Sequence, residues 1–438
     1  MKRFLCPVLM LASAACGTPN GGEPPPTDEL RDALAEHVWP DDDRPPVDVT
    51  NLFADDPEAA EFGHVLFFDA RLSGPLLDDA NNGIPGTLGK QGEAGRVSCA
   101  GCHVPDEGAF VDTRSPRKQL SLGAGWTHRK TASLLDVAQA RFVRWDGRHD
   151  TLHANLMSVI ESPLEMNSSR LFVAQQIARF HAERYEAIFG PLPDLSAYQE
   201  LDAQDAGCAA LPPQPVVGAC LKPGHDDPEV IRVVVNVGKA LAAYLRQLSC
   251  GPGRFDAWLA GDDEALTEQE QAGAAIFASD AGCQSCHSGP YFSDQRFHNI
   301  GLSGGVVPFT GVDTSDDPGL AGVYDALLSD PLSSRGSYSD GDDGRLDTLP
   351  AEPEQRLGAF RTPILRCVGR RPSYMHNAAF RSLGDAVRFF SVGGDDDGYV
   401  GSSQSWPRDF TDDERDQLEA FLRALDGSGP DQALREPP

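Results

Sequence analysis

Cys99-Ala100-Gly101-Cys102-His103 sets two thiols three residues apart with an imidazole directly behind them. In one helical turn, positions i, i+3 and i+4 share a face. Both sulfurs can then bond one porphyrin edge while the imidazole reaches the iron from one side, which is the attachment pattern of c-type haem. The pattern recurs as Cys283-Gln284-Ser285-Cys286-His287. A four-thiol zinc site built from both pairs is the competing reading, but zinc gives no reason for a His directly after each pair. The spacing predicts two covalently bound haem c groups. Cys99 and Cys102 would anchor one, with His103 on its iron, and Cys283 and Cys286 the other, with His287 on its iron.

Each site needs a fold around it. The 438 residues are 40% hydrophobic, enough for two or three domains. Asp227 followed by Pro228 starts a helix whose apolar residues, from Val230 and Ile231 to Leu245 and Leu248, fall at helical spacing until Gly251-Pro252-Gly253 stops it. Thr267 with Glu270, and Thr411 with Glu414, form capping boxes that start two more helices, the last ending at Gly427. No strand alternation stands out, and Asp313 to Pro353 reads as a long acidic surface loop. The expected fold class is all-α: two cytochrome-c-like helical domains, each around one haem, with long loops. The Pro-rich stretch ending at Pro228 marks the boundary. It gives an N-terminal domain over residues 51–225 and a C-terminal domain over 226–438, opened by the helix from Pro228.

Lys2-Arg3, an apolar run through Leu11 and the small residues Ser13-Ala14-Ala15 before Cys16 form an export signal. Small residues ahead of a Cys resemble a bacterial lipoprotein cleavage site. Residues 1–16 are therefore read as the leader, and the mature chain as lipid-anchored at Cys16 in the periplasm or another extracytoplasmic space. Residues 17–50, with Pro24-Pro25-Pro26, read as a flexible tether. Lys and Arg number 37 against 66 Asp and Glu, a formal charge of -29. That surface repels nucleic acid and anionic membranes and suits a basic redox partner. Outside the leader and the haem motifs, Cys208, Cys220, Cys250 and Cys367 remain. In an oxidising space they suggest two disulfides, Cys208 with Cys220 across a Pro-rich loop and Cys250 with Cys367; four buried free thiols are the alternative.

Two haems suit a passive electron carrier as well as an enzyme, and further stretches bear on that choice. Phe62-Gly63-His64-Val65-Leu66-Phe67-Phe68-Asp69 with Leu72-Ser73, then Trp145-Asp146-Gly147-Arg148, then Pro163-Leu164-Glu165-Met166 surround the first motif. Ser288-Gly289-Pro290-Tyr291-Phe292-Ser293-Asp294, Phe297-His298-Asn299-Ile300-Gly301, Phe360-Arg361-Thr362-Pro363-Ile364-Leu365-Arg366 and Tyr374-Met375-His376 follow the second. In that order they closely resemble the bacterial dihaem cytochrome c peroxidase family, which includes the MauG enzymes that oxidise tryptophan in a partner protein. The resemblance implies that the N-terminal haem is the peroxide site, with His103 its proximal ligand and Glu165 on the distal side. A carboxylate there can take a proton from peroxide and return one to the departing oxygen. The resemblance also makes Trp145 a stepping stone for electrons between the haems. By residue type alone, Glu165 would be an ordinary surface acid and Trp145 a packed core residue. Arg148 is expected to pair with a carboxylate or a propionate. His298 and His376 match family positions near the second haem and are read as structural.

Four departures from the family pattern carry consequences. The distal amide ten residues after the Trp is Asn155, one methylene shorter than usual. Lys130 and Arg371 stand where the family's interdomain calcium site draws its ligands, so calcium is not expected. The loop His that closes the peroxide site in many members has no counterpart near Leu122-Gly123, where the only His in the region is His128. The oxidised enzyme is therefore expected to be open. Fourteen residues after His376, where a Met or a Tyr binds the second iron in relatives, stands Phe390, which has no lone pair to give. The expected function is reduction of hydrogen peroxide with electrons from a small redox protein, a cytochrome c or a copper protein. The alternatives are a MauG-like oxidase that modifies a residue of a partner protein and a non-catalytic dihaem electron carrier.

Overall fold

The structure, a computed structural model, describes residues 27–40, 44–115, 119–208 and 222–438. The leader with Cys16 and the Cys220 end of one expected disulfide lie outside the described residues. In chain order the helices are α1 (Thr27–Ala33), α2 (Pro57–Phe68), α3 (Cys99–Cys102), α4 (Leu152–Glu161), α5 (Arg170–Phe180), α6 (Ala182–Phe189), α7 (Pro228–Leu245), α8 (Arg254–Leu259), α9 (Glu268–Ala278), α10 (Tyr324–Ser329), α11 (Leu383–Val392) and α12 (Asp412–Ala424), with short 3-10 turns between them. Two short strands, β1 (Phe297–His298) and β2 (Phe360–Arg361), pair antiparallel. The chain is mostly helical, as the sequence predicts.

Local chemistry explains where the helices begin. Asp56 accepts from the Glu58 and Ala59 amides ahead of α2, with Pro57 at the first helical position. Asp227 and Pro228 do the same for α7. Both capping boxes form, at Thr267 with Glu270 for α9 and at Thr411 with Glu414 for α12.

The helices enclose two main apolar cores. In the first, Phe62, Leu66 and Phe67 of α2 meet Met157 and Ile160 of α4 and Val230, Val234, Val237 and Tyr244 of α7. In the second, Trp258 of α8 and Phe277 of α9 meet Phe421 of α12 and Phe292. Each core holds one helix crossing that only glycine permits. A Cβ on Gly63 would fall 2.0 Å from the Ala240 carbonyl oxygen, and one on Gly273 1.9 Å from that of Gln417.

Three expectations need correction. Helix α7, expected to open the second domain, instead packs in the first core, with its valines buried against α2 and α4. Helical spacing shows that α7 buries its apolar residues but not against which partner. The tether does not run to residue 50, because Leu30 and Leu34 of the α1 segment are buried in the second core. His37 stacks on Phe292 with ring centroids 4.2 Å apart. The acidic stretch 313–353 is not a solvated loop throughout. Leu332 enters the first core, Asp340 pairs with Lys239 Nζ at 2.8 Å, and Leu320, Leu327, Leu346 and Leu349 form a small third core with Phe142 and Phe297.

Cys250 and Cys367 are disulfide-bonded, as expected, and link the end of α7 to the second half. Cys208 is also disulfide-bonded. Among the described residues no helix is long and apolar enough to cross a membrane.

Candidate functional site

Helix α3 is a single turn holding Cys99 and Cys102, and His103 follows as its C-cap. The imidazole Nδ1 lies 3.2 Å from the Phe110 carbonyl oxygen, which leaves Nε2 to face a ligand. The second motif repeats this arrangement on a 3-10 turn, with His287 Nδ1 2.8 Å from the Phe292 carbonyl oxygen. Phe110 and Phe292 both take the left-handed backbone conformation, at φ 48° and 54°, an uncommon state for a bulky residue. The same device thus aims each histidine. Burial pushes both imidazoles down to about 4, so each is neutral and its lone pair is available. The four motif thiols do not gather as zinc ligands. Among the described residues, the only group of three or more His, Cys, Asp or Glu ligand atoms within 4.8 Å of one another is Cys286, Asp294 and His298.

A buried charge imbalance at the second site fits haem. Arg361 and Arg371 have no carboxylate in ion-pair contact among the described residues, and Arg371 Nε is buried with no hydrogen-bond partner. Burial, with Arg371 close by, pushes Arg361 down to about 10, and Arg371 acts on His287. Two neighbouring desolvated guanidiniums, one of them acting on His287, call for an anion, a charge that a haem propionate would supply.

Glu165 lies in the turn after α4, with its backbone held on both sides. Its amide donates to the Ser162 carbonyl at 3.1 Å, and its carbonyl accepts from Ala124 at 2.9 Å. The buried loop through Leu122, Gly123 and Ala124 rests directly on this turn: a Cβ on Gly123 would come 2.5 Å from the Leu164 carbonyl oxygen. His128 is exposed at the far end of that loop.

Sequence reasoning missed the residue that grips the Glu165 side chain. Arg144 donates from Nη1 to Oε1 at 2.7 Å and from Nη2 to Oε2 at 3.2 Å, a two-pronged ion pair. Its Nε donates to Asn155 Oδ1 at 2.6 Å, so the shortened amide serves to hold the arginine. Burial alone would lower the Arg144 pKa, and the Glu165 carboxylate beside it more than offsets that, leaving it raised. Both charges act on His103, which places the pair at the first haem motif. Arg144 sits at φ 69°, a conformation that costs a non-glycine residue about 1–3 kcal/mol and clusters at functional sites. The available signal was a lone cation inside the otherwise apolar run Phe142-Val143-Arg144-Trp145.

Trp145 stands at the junction of the two halves. Its indole N–H donates to the Lys130 carbonyl at 2.6 Å, its own carbonyl accepts from the Arg361 amide of β2 at 2.8 Å, and the Lys130 amide donates to the His376 carbonyl at 2.7 Å. Arg148 pairs with Asp146 at 2.7 Å, the structural role expected of it. Asp146 also pairs with Arg129, which reaches Asp317 at 2.6 Å. His376 is stacked on Phe360 with centroids 3.6 Å apart. His298 lies between Asp294 Oδ2 and Gln404 Oε1, at 2.8 and 2.7 Å. His298 is thus hydrogen-bonded at both ring nitrogens. Lys130 and Arg371 are buried cations at the positions considered for calcium.

Residues 57–264 match the sequence family described as di-haem cytochrome c peroxidase. The methylamine utilization protein MauG of Methylorubrum extorquens is 28% identical, with 84% of this chain and 78% of that protein covered. Cytochrome-c peroxidase IdrP1 of Denitromonas iodatirespirans is also 28% identical, covering 88% of this chain and 86% of that one. The diheme peroxidase BthA of Burkholderia thailandensis shares the fold, with a TM-score of 0.61 and 24% identity over 87% of this chain and 89% of that one. Residues 57–264 thus carry a di-haem cytochrome c peroxidase family match, and along most of its length, paired haem motifs included, the chain is similar to dihaem cytochrome c peroxidases and MauG proteins, oxidoreductases acting on peroxide.

Proposed function

We propose that this chain is an exported dihaem c-type peroxidase that reduces hydrogen peroxide to water, taking electrons from a small redox protein. The peroxide site is the haem anchored covalently by Cys99 and Cys102 with His103 on its iron. The haem held by Cys283, Cys286 and His287 receives the electrons, each haem lying in its own helical domain. Haem iron, when bound, supplies the centre that takes up peroxide and exchanges electrons. The observation that carries the reading is the Arg144–Glu165 pair acting on His103, since a passive carrier has no use for a fixed carboxylate there. Glu165 accepts the proton that peroxide gives up and returns one to the outer oxygen, which leaves as water. Arg144 and Asn155 keep that carboxylate aimed. Trp145, hydrogen-bonded to both halves, carries electrons between them. The basic and apolar start of the chain, with small residues ahead of Cys16, supports a periplasmic enzyme lipid-anchored at that cysteine. Turnover of peroxide with a reduced cytochrome c or copper protein tests the reading, and a purified holoenzyme that consumes none would overturn it.

One observation favours MauG-like oxidation of a partner protein as the second reading. Phe390, at the place counted for the sixth ligand of the second iron, sits on α11 with its ring 5.3 Å from that of Phe389. Thioether ligation raises a haem potential, and without it the second haem is a weaker acceptor from a high-potential donor. The wild-type spectrum is expected to lack methionine-sulfur ligation, and Phe390→Met to gain it. A wild type already showing that signature would refute this ligand assignment and leave the peroxidase reading alone.

A further inference from the structure

Trp406 is 46% exposed, yet its ring is fixed. It packs on the backbone of Gly282, where a Cβ would come 2.6 Å from Trp406 Cζ2. The Arg408 guanidinium lies 4.4 Å from the ring centroid. Arg408 is itself anchored, with Nε donating to the Ala281 carbonyl at 2.7 Å and Nη1 to those of Phe390 and Trp406 at 3.1 and 3.0 Å. Its amide and that of Asp409 donate to the Ser391 carbonyl, at 2.8 and 3.0 Å, which ties the segment to the end of α11. The exposed indole is thus held one residue away from Cys283, the first anchor of the second haem.

The segments that meet at the ring carry exposed apolar and acidic side chains. Val392, the last residue of α11, is 56% exposed. Asp280, Asp396, Asp397 and Asp409 are exposed on the segments that meet here, with Arg388 and Arg408 as the cations on those same segments. Against the Gly282 backbone and the Arg408 guanidinium, Trp406 keeps 46% of its surface exposed. Tryptophan is enriched among the residues that dominate binding energy at interfaces, and acidic side chains steer a basic partner to its seat.

We propose that this surface is the docking site of a small redox protein with a basic face, and that its electrons enter the second haem through the Trp406 ring. The proposal rests on the peroxidase reading and names where its donor binds. Two reduced donor molecules each lose one electron. Hydrogen peroxide gains those two electrons and two protons, its O–O bond breaks, and two waters form. The reverse flow, in which a bound protein is oxidised at its own side chain, is separated by the test.

The test uses the holoenzyme and a basic cytochrome c as probe. Binding of the oxidised cytochrome is followed by calorimetry at low and moderate salt, without peroxide. The wild type should bind, more weakly as salt rises, and Trp406→Ala should bind at least about 10-fold more weakly. Reversing the charge with Asp396→Lys and Asp397→Lys should slow association and flatten the salt dependence. With peroxide added, Trp406→Ala and Trp406→Phe should each lose about 10-fold more turnover with reduced cytochrome than with hydroquinone, a neutral small reductant. A Trp406→Ala enzyme that binds the cytochrome as the wild type does, or a wild type that does not bind it, overturns the proposal. Covalent oxidation of the bound cytochrome in place of oxidation of its haem overturns the donor assignment. A wild type that consumes no peroxide with either reductant refutes the peroxidase reading, while the binding data still decide the docking site.

Discussion

Glu165→Gln is expected to lower peroxide turnover by about 100- to 10,000-fold, the usual worth of a positioned general acid–base, with both haems still attached. The substitution keeps the shape of the side chain and its capacity to accept from Arg144 Nη1, now 2.7 Å from Oε1. It removes the one group at the first haem motif that can both take and give a proton in that turn. The backbone contacts that fix the turn, Glu165 amide to Ser162 carbonyl and Ala124 amide to Glu165 carbonyl, do not involve the side chain, so the fold should be indifferent. Haem spectra before and after peroxide, with steady-state rates, check this. Turnover within a few-fold of the wild type would remove Glu165 from the mechanism.

The second large effect belongs to Arg144. Arg144→Leu deletes both prongs on Glu165 and the donor to Asn155 Oδ1. It leaves a carboxylate without a partner in a half-buried site. Charge-assisted hydrogen bonds contribute about 1.5–3 kcal/mol, which corresponds to about 10- to 100-fold in rate at about 1.4 kcal/mol per factor of ten. Arg144→Lys should recover only part of the loss, since a point charge cannot hold both oxygens of the fork. Arg144 is a positioning residue acting through Glu165, so the double variant with Glu165→Gln should be scarcely slower than Glu165→Gln alone. Losses that simply multiply would show that Arg144 acts independently. A changed haem spectrum in Arg144→Leu at rest would indicate a structural role instead.

The contrast between these two residues shows what sequence alone could carry. Signals contained in a few adjacent residues were legible: the haem motifs, the capping boxes at Thr267 and Thr411, and Asp227-Pro228 ahead of α7 all depend on groups close in the chain. Glu165 became legible only through an ordered set of motifs resembling a family, because a carboxylate by itself says nothing of what it faces. Arg144 was not legible because its partners, Asn155 and Glu165, meet it only once α4 and the following turn have folded back over it. The same limit explains why the packing partner of α7 was not foreseen. The spacing of Val230, Val234 and Val237 shows a buried face, but only the close crossing at Gly63 and Ala240 shows that the face belongs to the first core. Likewise Leu30 and Leu34 looked like part of a polar tether because two apolar side chains form no pattern until Trp258 is beside them.

The loop over Glu165 bears on how the enzyme rests. It carries no histidine between Leu120 and Thr127, its backbone is hydrogen-bonded to Leu164 and Glu165, and Leu120, Leu122 and Ala124 are buried. His128 follows just outside that segment and is exposed.

Anaerobic titration of the fully oxidised holoenzyme with hydrogen peroxide, first alone and then with a reduced donor protein, followed by the spectra of both haems, tests the central claim most directly. The oxidised enzyme should react with peroxide at once, and adding the donor should return it to its starting spectrum while two donor electrons are consumed per peroxide. Two low-spin haems that respond to peroxide only after one-electron reduction would contradict the open resting state, and haems that stay silent even then would contradict the peroxide chemistry itself.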